Sequence, residues 1–190
     1  MVLVGLMGSG KTTVGKKVAK LLGWRFLDAD VELERRTGRS VAGWFEAEGE
    51  PGFRGAEADL LESVLNEAGA DDPLVLGAGG GLVVTERNRN RLKAADVSVV
   101  YLHAEAGFLA SRVQRKAHRP LLSGDPEQVL GDMYAARDHL YREVADAVVE
   151  VRPAHELGSR PKWRLAEQVV DALVDLDVVE RPADMEAQGT

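Results

Sequence analysis

The feature that most constrains how this chain can fold is the stretch VLVGLMGSGKTTVGKK at residues 2–17. A short apolar run leads into the pattern G-x-x-x-x-G-K-[ST], which Lys11 and Thr12 complete, and a stretch with helical spacing follows. A strand, a glycine-rich turn and a helix in this order form a phosphate-binding loop. The stretch therefore predicts that the chain binds a nucleoside triphosphate. The alternative is a glycine-rich turn that carries a lysine by chance.

Each residue type in this loop has a physical reason to be there. The glycines permit backbone angles that turn loop amides towards anionic oxygens at a helix N-terminus. We expect Lys11 to reach the terminal phosphates and the Thr12 hydroxyl to bind Mg²⁺. The loop residues predicted to contact ATP are Gly8, Ser9, Gly10, Lys11, Thr12 and Thr13.

Composition and charge exclude several classes of protein. The chain has 190 residues and a formal net charge of −7, which argues against a general affinity for nucleic acid or for an anionic membrane. It contains no cysteine, so it forms no disulfide and no thiolate metal site. No apolar run is long enough to span a bilayer. We expect a cytoplasmic protein that acts on small molecules.

Short apolar runs alternate along the chain with segments of helical spacing. Strands are predicted at 2–4, 26–27, 74–76, 97–102 and 147–151, and helices at 11–22, 53–68, 105–117, 126–145 and 163–176. This alternation predicts an α/β fold in three layers, with a mostly parallel five-stranded sheet covered on both faces. We expect one domain over residues 1–176 and a frayed acidic tail over 177–190.

Acidic side chains follow the second predicted strand, at the sheet edge where ligands of parallel sheets bind. Asp28 and Asp30 leave this strand two residues apart. We expect Asp28 to join Thr12 at the metal, because the strand at 74–76 ends in glycines and offers no carboxylate. Asp30 would then face the phosphate acceptor. The alternative is a solvated turn in which Asp30 caps a helix that starts at Val31.

A glycine run and three arginines complete the candidate site. Gly79, Gly80 and Gly81 follow their strand directly and leave a backbone that a ligand can approach closely. Arg54, Arg119 and Arg137 are spread along the chain, and any one of them alone would be interpreted as a surface residue. Beside a phosphate-binding loop they suggest that two hold a substrate anion and one stabilises the migrating phosphoryl group.

These motifs, in this order, resemble those of the shikimate kinases. The chain supplies GLMGSGKTT near its N-terminus, DAD at 28–30, FR at 53–54, GGG at 79–81, RPLL at 119–122 and RDHLYREVA at 137–145. Any single motif is weak, but six at compatible spacing are specific. The resemblance spans roughly residues 1–150.

The resemblance implies a nucleoside-monophosphate-kinase-like fold that phosphorylates the 3-hydroxyl of shikimate with ATP and Mg²⁺. It places the substrate-binding segment at about 31–60 and a lid at about 112–124. It also implies that Asp30 is the partner of the acceptor hydroxyls, and that Arg54 and Arg137 form a carboxylate clamp completed by the glycine run. Arg119, on the lid, would be a catalytic and ATP-binding cation beside Lys11. Arg112 would be a second lid arginine.

Some questions stay open at this stage. The family has an arginine and a proline after its last strand that contact adenine, and here either Arg152-Pro153 or Arg160-Pro161 could do so. Two other functions compete with the first: another small-molecule kinase of the same fold, such as a gluconate kinase, or a P-loop protein that binds nucleotide without transferring phosphate. We expect a monomer, because no long apolar patch outside the predicted core argues otherwise.

Overall fold

Five parallel strands form one sheet in the computed structural model, which describes residues 1–69, 71–114, 125–157 and 159–186. The strands are β1 (Val2–Val4), β2 (Arg25–Asp28), β3 (Leu74–Gly77), β4 (Val99–His103) and β5 (Ala147–Glu150). Their order in the sheet is β2-β3-β1-β4-β5, and every neighbouring pair is parallel. The predicted α/β class and five-stranded parallel sheet are confirmed.

Helices cover both faces of the sheet. They are α1 (Lys11–Leu22), α2 (Ala29–Thr37), α3 (Val41–Glu67), α4 (Glu86–Leu92), α5 (Ala106–Gln114), α6 (Pro126–Val144), α7 (Val151–Glu156), α8 (Pro161–Asp175) and α9 (Ala183–Glu186), with a 3-10 turn at Leu82–Val84. On one face α1 packs against α8. On the other face α4 contacts both α3 and α6, and α5 packs beside α6. Because both faces are covered, β1, β3 and β4 are buried throughout.

The long helix α3 is bent near its middle. Gly49 has φ 67° and ψ −172°, angles that are not helical, and Pro51 follows two residues later. The predicted helix at 53–68 is the part after this bend, whereas the turns before it were not predicted. Residues 115–124, which include most of the predicted lid, and the end of the tail at 187–190 lie outside the described residues.

The basic helix α4 is held by ion pairs on three sides. Arg87 pairs with Asp59 at 2.8 Å, and Arg91 pairs with Asp96 at 2.9 Å. Glu143 of α6 accepts from both remaining cations, at 3.1 Å from Arg89 and 2.7 Å from Lys93. These pairs account for the run of positive charge in this segment. No helix among the described residues is long and apolar enough to cross a lipid bilayer.

Helix α1 lies so close to the sheet that position 15 has no room for a side chain. A Cβ built on Gly15 would lie 2.5 Å from Cε2 of the Phe26 ring and 3.2 Å from Cδ1 of Leu3. Gly131, inside α6, has no atom within 4 Å of the same position, apart from its chain neighbours and its own helix backbone. Substituting alanine at each of the two positions therefore separates the effect of close packing from that of helix propensity.

We expect Gly15→Ala to destabilise the fold by about 1–2 kcal/mol, because the clash with Phe26 outweighs the helix propensity that alanine gains. Gly131→Ala should instead stabilise it by about 0.5–1 kcal/mol, since only the propensity changes there. Urea denaturation at neutral pH measures both. A stabilised Gly15→Ala variant would contradict the close packing of α1.

Candidate active site

The phosphate-binding loop joins β1 to α1 at the centre of the sheet. Gly5, Gly8 and Gly10 have φ values of 141°, 87° and 105°, a region that other residues rarely occupy. A Cβ on Gly5 would lie 2.7 Å from the Leu102 carbonyl oxygen, so this turn passes directly against β4. Lys11 lies over the loop, where its Nζ donates to the carbonyls of Gly5 and Leu6 at 2.7 and 3.1 Å.

Two details of the loop fit an anionic ligand. Gly10 is the N-cap of α1 and provides no side-chain cap, so the first amides of the helix keep their capacity to bind an anion. The Ser9 hydroxyl is buried, and no hydrogen-bond partner for it lies within the described part of the chain. A buried hydroxyl without a partner is costly, and a phosphate oxygen would supply one.

Thr12 and Asp28 form the candidate metal site. The Thr12 hydroxyl donates to Oδ2 of Asp28 at 2.7 Å. Oxygen donors of this kind suit Mg²⁺, which takes one or two protein ligands and completes its shell with phosphate and water oxygens. The described residues contain no cluster of three or more His, Cys, Asp or Glu that could hold a metal alone. The pair therefore fits a metal that arrives with a nucleotide.

Asp28, and not Asp30, caps the helix that follows β2. The helix α2 begins at Ala29, and Oδ1 of Asp28 accepts from the Asp30 amide at 3.2 Å. The alternative in which Asp30 caps a helix starting at Val31 is therefore wrong. Because Asp28 satisfies the helix terminus, the Asp30 carboxylate is exposed and lies towards the glycine run.

Arg54 is held in place by two carboxylates of its own helix. Its guanidinium pairs with Glu57 at 2.8 Å and with Glu50 at 3.0 Å. Glu57 is only 3% exposed, and its Oε1 has no hydrogen-bond partner among the described residues. Burial raises the pKa of Glu57, while the neighbouring Arg54 guanidinium opposes that rise. The result is a cation held in place beside Asp30 and the glycine run, which together with Arg137 define the candidate pocket.

The glycine run packs between these charged groups. A Cβ on Gly79 would lie 2.8 Å from Oε1 of Glu57 and 3.0 Å from Oδ1 of Asp30. A Cβ on Gly81 would clash with the Arg54 guanidinium. A side chain at 79 or 81 would therefore displace the charged groups that surround the glycine run.

The middle glycine connects the pocket to the phosphate loop and to α6. The position of a Cβ on Gly80 is 3.7 Å from the Met7 amide nitrogen. On its other side, the Gly80 carbonyl accepts from Arg137 Nη1 at 3.3 Å and from the Tyr141 hydroxyl. Asp30, Arg54, Arg137 and residues 79–81, predicted from separate parts of the chain, thus meet beside the loop.

Arg112, predicted as a second lid arginine, also reaches the phosphate loop. Arg112 Nε donates to the Gly8 carbonyl at 3.0 Å, and its guanidinium lies over the Phe108 ring at 5.4 Å. Arg119, the other predicted lid cation, lies outside the described residues. Arg152 pairs with Glu105 and Glu156, whereas Arg160 adopts φ 63° at the start of α8. These positions do not distinguish Arg152 from Arg160 as the residue that contacts adenine.

Two residues of this site were missed from the sequence. Glu57 stands in an otherwise apolar helical stripe, three residues after Arg54, and that single buried acid was a signal that could have identified it. Tyr141 lies in the RDHLYREVA motif, but nothing local to the motif shows that its hydroxyl reaches Gly80.

Ion pairs join the two helices, α2 and α3, that carry Asp30 and Arg54. Glu32 of α2 is buried and accepts from Arg35 and Arg36 of the same helix. Arg36 also pairs with Glu67 of α3 at 2.7 Å. The hydrogen bond from Arg35, with a further one from Arg36, lowers the pKa of Glu32 to about 2. This network fixes α2, which carries Asp30, against α3, which carries Arg54.

Comparison with known proteins gives consistent matches. A family model described as shikimate kinase matches residues 7–176. A shikimate kinase of Halorhodospira halophila is 45% identical over 172 residues, covering 90% of this chain and 91% of the relative. One of Pseudomonas syringae is 44% identical over 170 residues, covering 88% of this chain and 96% of the relative.

Solved structures show the same relationship. A shikimate kinase from Acinetobacter baumannii in complex with shikimate has a TM-score of 0.80 and 39% identity, with 94% of each chain covered. A gluconokinase from Sinorhizobium meliloti has a TM-score of 0.55 at 17% identity, covering 100% of this chain and 96% of that one. The latter likeness is one of fold alone.

We expect Glu32→Gln to destabilise the protein at pH 7 by about 2 kcal/mol. Because the pKa of Glu32 is lower in the folded state, its contribution is complete above about pH 4.5 and is lost as the pH falls towards 2. The gap in urea stability between wild type and variant should therefore narrow between pH 5 and pH 3. Glu34→Gln, an exposed change on the same helix, is the control. A gap that stays constant with pH would exclude the ion pairs as its cause.

Proposed function

The chain belongs to the shikimate kinase family and transfers a phosphoryl group from ATP to shikimate, and we propose that the acceptor is the 3-hydroxyl, held in the pocket beside the phosphate loop. One observation carries the assignment of this pocket. Asp30, Arg54 and Arg137 come from separate segments and converge on the glycine run, and the middle glycine of that run lies against the loop. Phosphoryl transfer depends mainly on positioning and charge stabilisation, which such a pocket provides.

The carboxylate of shikimate is bound at the arginine end of the pocket in this proposal. Arg54 and Arg137 lie against Gly81 and Gly80 respectively, so two guanidinium groups flank the same short stretch of backbone. Guanidinium groups bind carboxylates in a bidentate manner, and the glycine amides add donors. The Glu57 and Glu50 carboxylates keep Arg54 oriented before the substrate arrives.

The acceptor hydroxyl is bound by Asp30. This carboxylate is exposed towards the pocket and lies beside Glu57, a second acid. It accepts a hydrogen bond from the 3-hydroxyl and helps to take its proton as the oxygen attacks the terminal phosphorus of ATP. The bond from that phosphorus to the bridging oxygen breaks, and ADP leaves with the electron pair.

Cations on the opposite side hold the phosphates. Lys11 and Arg112 both contact loop carbonyls and lie where the charge of the terminal phosphates would be. Thr12 and Asp28 would hold Mg²⁺, which supplies charge neutralisation between the phosphates when bound. Arg119 would join these cations from a lid over about 112–124. A closed lid would exclude water and so prevent hydrolysis of ATP.

The same proposal covers the setting of the enzyme. We infer that residues 1–176 act as one catalytic domain and that the enzyme is a monomer. The absence of cysteine from the sequence suits the reducing cytoplasm, where ATP is available. Size-exclusion chromatography with light scattering tests the monomer directly.

The substrate assignment is tested by coupled ADP release with ATP and Mg²⁺, using shikimate, gluconate or no acceptor. We expect release only with shikimate, because the helices that carry Asp30 and Arg54 are joined by ion pairs, which sets the span between the proposed hydroxyl and carboxylate sites. Release with gluconate alone would keep the fold and overturn the substrate. ADP release at the same rate with and without an acceptor would identify an ATPase. Nucleotide binding without ADP release would favour the non-catalytic alternative.

The carboxylate clamp is tested by Arg54→Lys, which keeps the charge and removes the planar fork. We expect the KM for shikimate to rise about 10- to 100-fold, as for the loss of a charged hydrogen bond. The KM for ATP should stay near the wild-type value. Steady-state kinetics with each substrate varied in turn gives both constants.

The matched control is Arg87→Lys, the same substitution in an exposed ion pair on α4. It should leave both Michaelis constants unchanged. An equal rise of the two constants in Arg54→Lys would show a general disturbance of the site and would count against the clamp.

A further inference from the structure

The carbonyl of Gly80 is the point where two donors from α6 converge. Arg137 Nη1 donates to it at 3.3 Å, and the Tyr141 hydroxyl donates to it over a shorter distance. Tyr141 is fully buried, so this contact is shielded from water. A single backbone carbonyl that receives two side-chain donors has its direction fixed by them.

The direction of this carbonyl sets the direction of a neighbouring amide. In a trans peptide the carbonyl of one residue and the N–H of the next point to opposite sides of the chain. With the Gly80 carbonyl turned towards α6, the Gly81 N–H faces away from that helix. Within the described part of the chain, no backbone or side-chain group accepts from the amides of Gly80 or Gly81.

Three consecutive glycines cannot fix this orientation by themselves. Without Cβ atoms, the peptide planes at 79–81 have several accessible rotations of similar energy. An external hydrogen bond is therefore what selects one rotation. The two donors differ in their suitability for this task, because Arg137 is half-buried and is also the group proposed to bind the shikimate carboxylate.

Tyr141, in contrast, is anchored from behind. Its ring stacks on the ring of Tyr101 with centroids 4.9 Å apart, and Tyr101 is itself 1% exposed. The Tyr101 hydroxyl donates to Oδ1 of Asp138 at 2.9 Å. Burial raises the pKa of Tyr141, so its hydroxyl stays protonated and remains a donor at neutral pH.

We propose that the Tyr141 hydroxyl is a positioning group for the binding of shikimate. It holds the peptide between Gly80 and Gly81 in the orientation that presents its N–H to the pocket, and so it strengthens shikimate binding without touching shikimate. The inference rests on the proposed role of the glycine run as a wall of the shikimate pocket.

The test is Tyr141→Phe, which removes one oxygen and retains the ring stack. Gly80 keeps its bond to Arg137, so the variant is expected to fold, and thermal melting verifies this. We expect the KM for shikimate to rise about three- to tenfold, the usual effect of losing one hydrogen bond. The kcat and the KM for ATP should stay within about twofold of wild type, because the lost interaction contributes equally to binding of the ground state and of the transition state.

The matched control is Tyr134→Phe on the same helix. The Tyr134 hydroxyl lies 2.9 Å from Nε2 of His103, and within the described part of the chain it makes no hydrogen bond to the glycine run. This variant should therefore keep the wild-type KM for shikimate. A role of Tyr141 in stability alone would lower the melting temperature and the active fraction, but it would not raise the KM for one substrate selectively.

The outcomes separate the two proposals. If wild type turns over shikimate and Tyr141→Phe has an unchanged KM, or if Tyr134→Phe shows the same rise, the positioning role is wrong while the proposed function stands. A wild type that releases no ADP in response to shikimate would overturn both.

Discussion

The close approach of Gly5 to the Leu102 carbonyl is the contact on which the arrangement of the site depends. It brings the turn after β1 against β4, at the point where the connections of the sheet leave in opposite directions. Open parallel sheets bind ligands at this point. Because the glycine run after β3 packs on the same turn, the phosphate site and the acceptor pocket share one wall. A side chain at position 5 would push this turn away from β4.

The arginines of the proposed pocket are already hydrogen-bonded before any substrate enters. Arg54 is satisfied by Glu57 and Glu50, and Arg137 by the Gly80 carbonyl, so neither guanidinium is a bare cation. Glu57 in turn is buried beside Asp30, and this proximity contributes to its raised pKa. Such an arrangement orients the binding groups at little cost on substrate arrival, which is how preorganised sites gain affinity.

Much of this could be predicted from the sequence, and what could not has a common cause. Strands such as 2–4 and helix 11–22 follow from local periodicity, and Asp30, Arg54 and Arg137 from motifs with a strong resemblance to one family. Contacts between distant segments leave no such local pattern. The bond from Tyr141 to Gly80 spans 61 positions, and the pair of His103 with Glu150 spans 47. The Asp28 cap was also missed, because Asp28 and Asp30 are equally suitable in composition and only the start of α2 distinguishes them.

The tie formed by Glu32, Arg36 and Glu67 has a consequence for the shape of an acceptor. It keeps Asp30 and Arg54 on helices that are joined to each other, and this limits changes in the span between the proposed hydroxyl and carboxylate sites. A ring acid carries its hydroxyl and carboxylate at a set separation and loses little rotational entropy in spanning the two sites. An open-chain polyol acid must restrict rotation about several bonds to do the same. Each flexible group that is immobilised costs about 0.5–1 kcal/mol of conformational entropy. A fixed span therefore selects cyclic acceptors through their rigidity.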